Sequence, residues 1–167
     1  MAHLDERTFA SFYERTSRAV WLYAYRVTGH ASDADDIVQE AFCRIIGAEI
    51  DASDEEVLRR YVFRVAGNLM ADRWRRAARE GSWLERLRGA PEVQVDPEYD
   101  DSVSREFAAL TPRERALLWL AYVEGDNHQE IADALGLRRG SIKVLLFRAR
   151  AKLRDLLTAR GVTARAQ

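Results

Sequence analysis

Apolar residues recur along this chain at steps of three and four, and no stretch alternates apolar and polar positions, so the pattern predicts helices and no strand. Leu4 to Thr28 reads as a first helix, with Phe9, Phe12, Tyr13, Ala19, Val20, Tyr23 and Val27 on one broad side, ended by Gly29-His30. Ser32 is the expected cap of a second helix, Asp33 to Ile46, with acids in the first turn where the helix dipole favours them. This helix should bury Ile37, Val38, Ala41, Phe42 and Ile45 and expose Asp35, Asp36, Gln39, Glu40 and Arg44. Gly47 to Ser53 reads as a loop, and Ser53 followed by Glu56 predicts a capping box. A long helix, Asp54 to Glu80, then carries Leu58, Tyr61, Val62, Val65, Leu69 and Trp74 near its apolar side and arginines on the other.

Gly81 to Val103 breaks the period with Gly89, Pro91 and Pro97 and is acidic through Glu92, Asp96, Glu98, Asp100 and Asp101. It reads as a flexible linker with room for a short helix at Trp83 to Leu87. Helical periodicity returns at Ser104 with Phe107, Leu110, Leu117, Leu118, Leu120, Ala121 and Val123, and Thr111-Pro112 predicts a cap followed by a first-position proline. After a turn at Glu124-Gly125-Asp126, a short periodic segment (Ile131, Ala132, Leu135) ends at Gly136. A second helix, expected to be capped by Ser141, follows, with Ile142, Leu146, Ala149, Leu153 and Leu156 as its buried stripe. That is a helix-turn-helix. The fold class expected is all-α, with two small helical domains, 1–80 and 104–160, joined by the flexible acidic linker 81–103 and followed by a tail, 161–167. The second is a helix-turn-helix (winged-helix-like) DNA-binding domain. Each core is small and marginal, so docking on a partner would help to fix the arrangement.

Charge sharpens this outline by its distribution. The formal net charge is only −1, which says nothing about nucleic acid. From His30 to Leu58 the acids Asp33, Asp35, Asp36, Glu40, Glu49, Asp51, Asp54, Glu55 and Glu56 face Arg44 alone. From Arg59 to Arg88 nine arginines face Asp72, Glu80 and Glu85. From Arg138 to Arg154 the bases Arg138, Arg139, Lys143, Arg148, Arg150, Lys152 and Arg154 meet no acid. Alternating blocks of sign imply two kinds of partner surface.

Lys143, Val144, Phe147, Arg148 and Ala151 lie opposite the buried stripe of the last helix. A basic face of this kind is either a solvated surface or a helix for the major groove. The turn glycines, the serine and the missing acids favour the groove, where Val144 and Phe147 would meet thymine methyls or another protein. The single Cys43 excludes an internal disulfide, fits a reducing cytoplasm, and reads as a small core residue. His3, His30 and His128 share no ligand spacing with it, so neither a metal nor a cofactor is expected. No nucleophile–base pair or phosphate loop is visible, which argues against an enzyme. No signal peptide is expected, and the longest apolar run, Ala19 to Tyr25, is too short to span a bilayer.

Two stretches together resemble the extracytoplasmic-function type of RNA polymerase sigma factor, of the sigma-70 family. The first is DADDIVQEAFCRI (Asp33 to Ile45) with RYVFRVAGNLMADRWRR (Arg60 to Arg76); the second runs from Leu110 to Leu153. Asp-x-x-Gln-Glu, Arg-x-x-x-Asn-x-x-x-Asp-x-x-Arg-Arg and Glu-Ile-Ala…Arg-Ala-Arg in one small chain make the resemblance specific. It implies a protein that joins core RNA polymerase, through the beta-prime clamp helices and the beta flap, and directs initiation at promoter DNA. An anti-sigma factor is a further implied partner.

The resemblance places Asp36, Gln39, Glu40 and Arg44 on the clamp. An exposed acidic helix face is a plausible mate for a basic coiled coil, or else it is merely solvated. The resemblance gives the minus-ten element to Tyr61, Arg64, Asn68, Asp72, Arg75 and Arg76, with the loop Gly47 to Leu58 capturing a flipped base. That loop departs from the family in being acidic and free of aromatics. Tyr61, Phe63 and Trp74 among arginines suit single-strand stacking, although Tyr61 stands where tryptophan is usual and also fits the core. The minus-thirty-five element falls to Arg138, Arg139, Ser141, Lys143, Val144, Phe147 and Arg148. Val144 and Leu145 stand where serine and arginine are common, which removes two polar contacts. The acidic linker would thread toward the RNA exit path, as a nucleic-acid mimic or a passive tether. Two rivals remain: a sigma-like decoy that binds an anti-sigma factor without initiating, and a stand-alone helix-turn-helix regulator.

Overall fold

The computed structural model describes residues 4–80 and 103–161. The short helix expected at Trp83 to Leu87, most of the linker and the C-terminal tail lie outside the described residues. Seven helices make up the described part: α1 (Glu6–Thr28), α2 (Ala31–Ile46), α3 (Glu55–Arg79), α4 (Ser104–Ala108), α5 (Pro112–Tyr122), α6 (His128–Leu135) and α7 (Arg139–Ala159). No strand occurs among the described residues.

Local chemistry sets the ends. Asp5 caps α1 by accepting from the Thr8 N–H at 2.7 Å, and Gly29, at φ 78°, turns the chain out of the helix in the left-handed region that glycine adopts without strain. Gly136 does the same for α6 at φ 62°. Thr111 and Asn127 each form a complete capping box, with Glu114 and Glu130, and Pro112 occupies the first turn of α5. Three expected caps differ. Helix α2 begins at Ala31 behind His30, so Ser32 lies inside its first turn. Asp54, not Ser53, caps α3, accepting from the N–H groups of Glu56 and Val57, while the Ser53 hydroxyl donates to Asp51. Helix α7 begins at Arg139, and the Ser141 hydroxyl donates back to the Arg138 carbonyl at 2.7 Å.

Helices α1, α2 and α3 pack on one another, and α5, α6 and α7 form a second group with α4 laid against α7. The α2 stripe is buried as expected, through Ile37, Val38, Ala41, Phe42 and Ile45. Cys43 is exposed, not a core residue: it falls one position past Phe42, on the rim of the stripe. Val123 is likewise 59% exposed, because α5 has already ended at Tyr122. The two groups also touch directly, α1 against α5 and α3 against α6, so that buried side chains form one cluster from Phe12 to Ala149. The backbones come close at Gly67 of α3, where an added methyl carbon would stand 2.7 Å from the Ala134 carbonyl oxygen of α6. No described helix is long and apolar enough to cross a membrane.

Candidate nucleic-acid and protein interfaces

The outer face of α2 presents Asp36, Gln39, Glu40 and Arg44, all exposed. Arg44 Nε donates to Glu40 Oε1 at 2.8 Å one turn away, with both side chains half exposed. Such a pair contributes only a few tenths of a kcal/mol, so either partner is readily given up to another protein. Beside this face an open groove of about 670 Å³ runs between α1 and α2, floored by Phe9, Tyr13, Phe42 and Ile46. Tyr13 and Ile46 are 42% and 61% exposed. The groove wall is set by Trp21, whose indole N–H donates to Asp35 at 2.8 Å. Carboxylates bordering an apolar floor suit a protein partner better than a nucleic acid. Periodicity places Tyr13 on the apolar side of α1, yet it is exposed here, and Ile46 lies just past the buried stripe of α2.

Tyr61, Arg64, Asn68, Asp72 and Arg75 follow one another at steps of three and four on α3, with Arg76 alongside, and form one stripe. The Arg64 guanidinium lies 5.2 Å from the centre of the Tyr61 ring. These two residues line a cleft of about 540 Å³ whose other walls are the loop Ala48 to Ile50 and three carboxylates, Asp126, Glu130 and Asp133. Asn68, Asp72 and Arg76 continue the stripe beyond the cleft. Arg75 is turned to the second helical group, donating to the carbonyl oxygens of Leu135 at 2.8 Å and Gly136 at 3.3 Å. The stacking role expected of Phe63 does not fit the fold. Phe63 is 4% exposed, packed 5.6 Å from the Tyr23 ring, with the Arg59 guanidinium 4.8 Å from its own centre. Trp74 is partly buried against the core.

The loop before α3 is pinned on itself. Asp51 accepts from the Ser53 hydroxyl and N–H at 2.6 and 3.0 Å, and these bonds hold its carboxyl below the usual range. In the cleft, burial pushes the Asp126 carboxyl up to about 6, with Glu130, Glu124 and Glu56 pushing the same way and Arg60 opposing them. Arg60 itself reaches Glu56 at 3.1 Å and Glu130 at 3.4 Å.

On α7 the residues Lys143, Val144, Phe147 and Arg148 form the exposed face, with Val144 49% and Phe147 62% exposed. Arg138 and Arg139 stand exposed at its N-terminus, and Ser141 is half buried in the first turn. Leu145 packs against the core, so of the two residues expected to have lost polar contacts only Val144 faces outward. Further along, Arg150 reaches the Tyr122 hydroxyl at 2.5 Å and Lys152 reaches Glu114 at 3.0 Å, which turns these two bases toward α5. Leu153 and Leu156 are only half buried, and Leu153 borders an apolar groove with Phe107, Trp119 and Tyr122.

Known proteins carry both halves of this arrangement. Residues 12–80 match the model of Sigma-70 region 2, and residues 101–153 match that of Sigma-70, region 4. The chain is 30% identical to an RNA polymerase sigma-E factor of Streptomyces avermitilis, over 99% of this chain and 94% of the relative. It is 31% identical to the ECF RNA polymerase sigma factor SigL of Mycobacterium tuberculosis, over 92% and 90%. Among solved structures, CnrH in complex with the cytosolic domain of CnrY is similar at 30% identity and a TM-score of 0.62, covering 93% of this chain and 90% of that one. The sigma factor RpoE of Bartonella quintana, solved with the anti-sigma factor NepR, shares the fold at 19% identity and a TM-score of 0.65, covering 90% and 96%.

Proposed function

This chain belongs to the extracytoplasmic-function sigma factors of the sigma-70 family, and from that premise we propose how its surfaces divide the work. It binds core RNA polymerase and directs initiation at a chosen set of promoters. The segment 1–80 is the polymerase-binding and minus-ten half, 104–160 the minus-thirty-five half, and 81–103 the connection between them. Asp36, Gln39, Glu40 and Arg44 meet the clamp helices, with Tyr13 and Ile46 supplying apolar contact beside them. Tyr61, Arg64, Asn68, Asp72, Arg75 and Arg76 receive the melted minus-ten strand, where arginine and aromatic faces combine phosphate contact with base stacking. Arg138, Arg139, Ser141, Lys143, Val144, Phe147 and Arg148 enter the upstream major groove.

The chain performs no covalent chemistry, which belongs to the polymerase, and it acts where polymerase acts, in the cytoplasm. The apolar groove bordered by Phe107, Trp119, Tyr122 and Leu153 suits the beta flap or an anti-sigma factor. The observation that carries this reading is the segregation of charge onto separate exposed helix faces. Carboxylates gather on α2, and no acid occurs from Arg138 to Arg154.

Run-off transcription with core enzyme on a genomic fragment library tests it. Discrete transcripts that require this chain are expected. Binding to core with no transcript from any fragment would overturn it in favour of the decoy.

A further inference from the structure

The outward face of α7 carries two large apolar side chains in the middle of its positive charge. Val144 is 49% and Phe147 62% exposed, and each stands next to an exposed cation, Lys143 or Arg148. Contacts divide the other bases of the helix. Arg150 and Lys152 are turned to Tyr122 and Glu114, whereas Arg138 and Arg139 are exposed where α7 begins.

Apolar groups set between cations fit a protein surface poorly, because covering them would strip water from Lys143 and Arg148 as well. A duplex resolves the conflict. Phosphates line the rims of the major groove, and one apolar group, the C5 methyl of thymine, lies on its floor. Neither Val144 nor Phe147 can bond a base edge. Over guanine, adenine or unmethylated cytosine they would cover polar atoms with no apolar contact to offset the loss of water. Over a C5 methyl they bury carbon against carbon. The spacing fits too. Three residues separate the two side chains by about 4.5 Å along the helix axis and about 60° around it, close to the roughly 3.4 Å rise of one base step.

We propose that Val144 and Phe147 read C5 methyl groups on neighbouring base pairs, so that the upstream element carries thymine there and accepts 5-methylcytosine, but not cytosine, in its place. The proposal rests on the assignment of α7 to the upstream major groove. It makes recognition at these steps depend on a carbon substituent in place of a donor or acceptor. Initiation is then sensitive to cytosine methylation wherever cytosine replaces thymine at either step. Serine at position 144 would bond a base edge instead and lose this sensitivity.

Anisotropy titrations of the holoenzyme test it, on duplexes built from a promoter located by start-site mapping. Each thymine of the upstream element is replaced in turn by uracil, which removes only the methyl, and then by cytosine or 5-methylcytosine opposite guanine. Uracil is expected to weaken binding about fourfold at each of two neighbouring positions, and 5-methylcytosine to bind about fourfold tighter than cytosine there. Val144→Ser should abolish the methyl effect at one position and Phe147→Ala at the other. Uracil tolerated at every position, with a scrambled element still bound weakly, would overturn methyl reading and leave the groove assignment standing. A scrambled element bound as tightly as the native one would overturn the groove assignment and the proposal together. Methyl effects that persist in both variants would give the reading to other residues and overturn the proposal. So would variants that lose core polymerase while DNA affinity is unchanged, since the apolar pair would then serve a protein.

Discussion

Arg115 donates to one main-chain oxygen, that of Val27, through both Nε and Nη2, at 3.0 and 2.7 Å, across 88 residues of sequence. Its third contact, from Nη1, goes to the Ala108 carbonyl at 2.7 Å. The side chain is 3% exposed, and all three of these bonds end on carbonyl oxygens. Burial pulls its pKa down to about 10, still far enough above neutrality to keep the charge. What offsets the buried cation is the negative end of α1.

Replacing Arg115 by methionine keeps length and removes the donors, leaving two inward carbonyls unbonded. A loss of about 2–4 kcal/mol in unfolding free energy is expected, and Arg115→Lys should recover part of it. Urea denaturation followed by circular dichroism measures both. A change under about 0.5 kcal/mol for Arg115→Met would mean that the bonds contribute little.

Polymerase docking through α2 predicts that Asp36→Arg weakens binding to core at least about tenfold, or roughly 1.4 kcal/mol, without loss of stability. Asp36 is exposed and outside the buried stripe, so the fold tolerates the change. Ile46→Ser should weaken docking through the apolar floor instead. Titration of labelled core against each variant is the measurement; an unchanged dissociation constant for Asp36→Arg would remove this face from the interface.

The recognition helix separates affinity from specificity. Lys143→Ala or Arg148→Ala should lower affinity for every duplex alike and reduce the salt slope by about one counterion each. Phe147→Ala should leave the slope alone and reduce discrimination between promoter and scrambled duplex by about 1–3 kcal/mol. Anisotropy titrations of the holoenzyme at several salt concentrations, on a promoter located by start-site mapping, separate these outcomes. A salt slope unaffected by Lys143→Ala would place that lysine off the phosphates.

Periodicity and turn chemistry are local, and what they govern was legible in the sequence: the α2 and α7 stripes, the glycine exits at Gly29 and Gly136, and the Thr111-Pro112 start. Serine was misleading three times, and at Ser141 the reason is that a hydroxyl serves a cap and a back-bond equally well. Ser141 bonds the carbonyl three residues earlier, and only the neighbouring dihedrals decide which role holds. Phe63 misled for a related reason. An aromatic among arginines is the pattern of a stacking platform and also of an internal cation–π contact, here with Arg59. The contacts of Gly67 with Ala134 and of Arg115 with Val27 left no trace at all, since each joins residues far apart whose own neighbours look like ordinary helix. The union of the two helical groups depends on those pairs.

Asp126 makes that union sensitive to pH. Its carboxyl titrates at about 6 instead of 3.8, chiefly because it is buried, with Glu130, Glu124 and Glu56 adding repulsion and Arg60 opposing it. A carboxyl whose pKa is raised by folding favours the folded form when protonated. Its contribution is complete below the unfolded value of 3.8 and is lost as pH rises toward 6. Above that range the ionised group weighs against the fold, by about 1 kcal/mol once solvent screening of a half-buried site is allowed for. Asp126→Asn removes the charge at constant shape. The variant should therefore exceed wild type in stability at pH 7.5 by about that amount, and the gap should close as pH falls below 6. Taking the difference between variant and wild type at each pH cancels the titration of acids that do not interact with Asp126. Urea midpoints at four pH values between 3.5 and 7.5 would trace the curve, and a gap independent of pH would show that Asp126 does not titrate in this window.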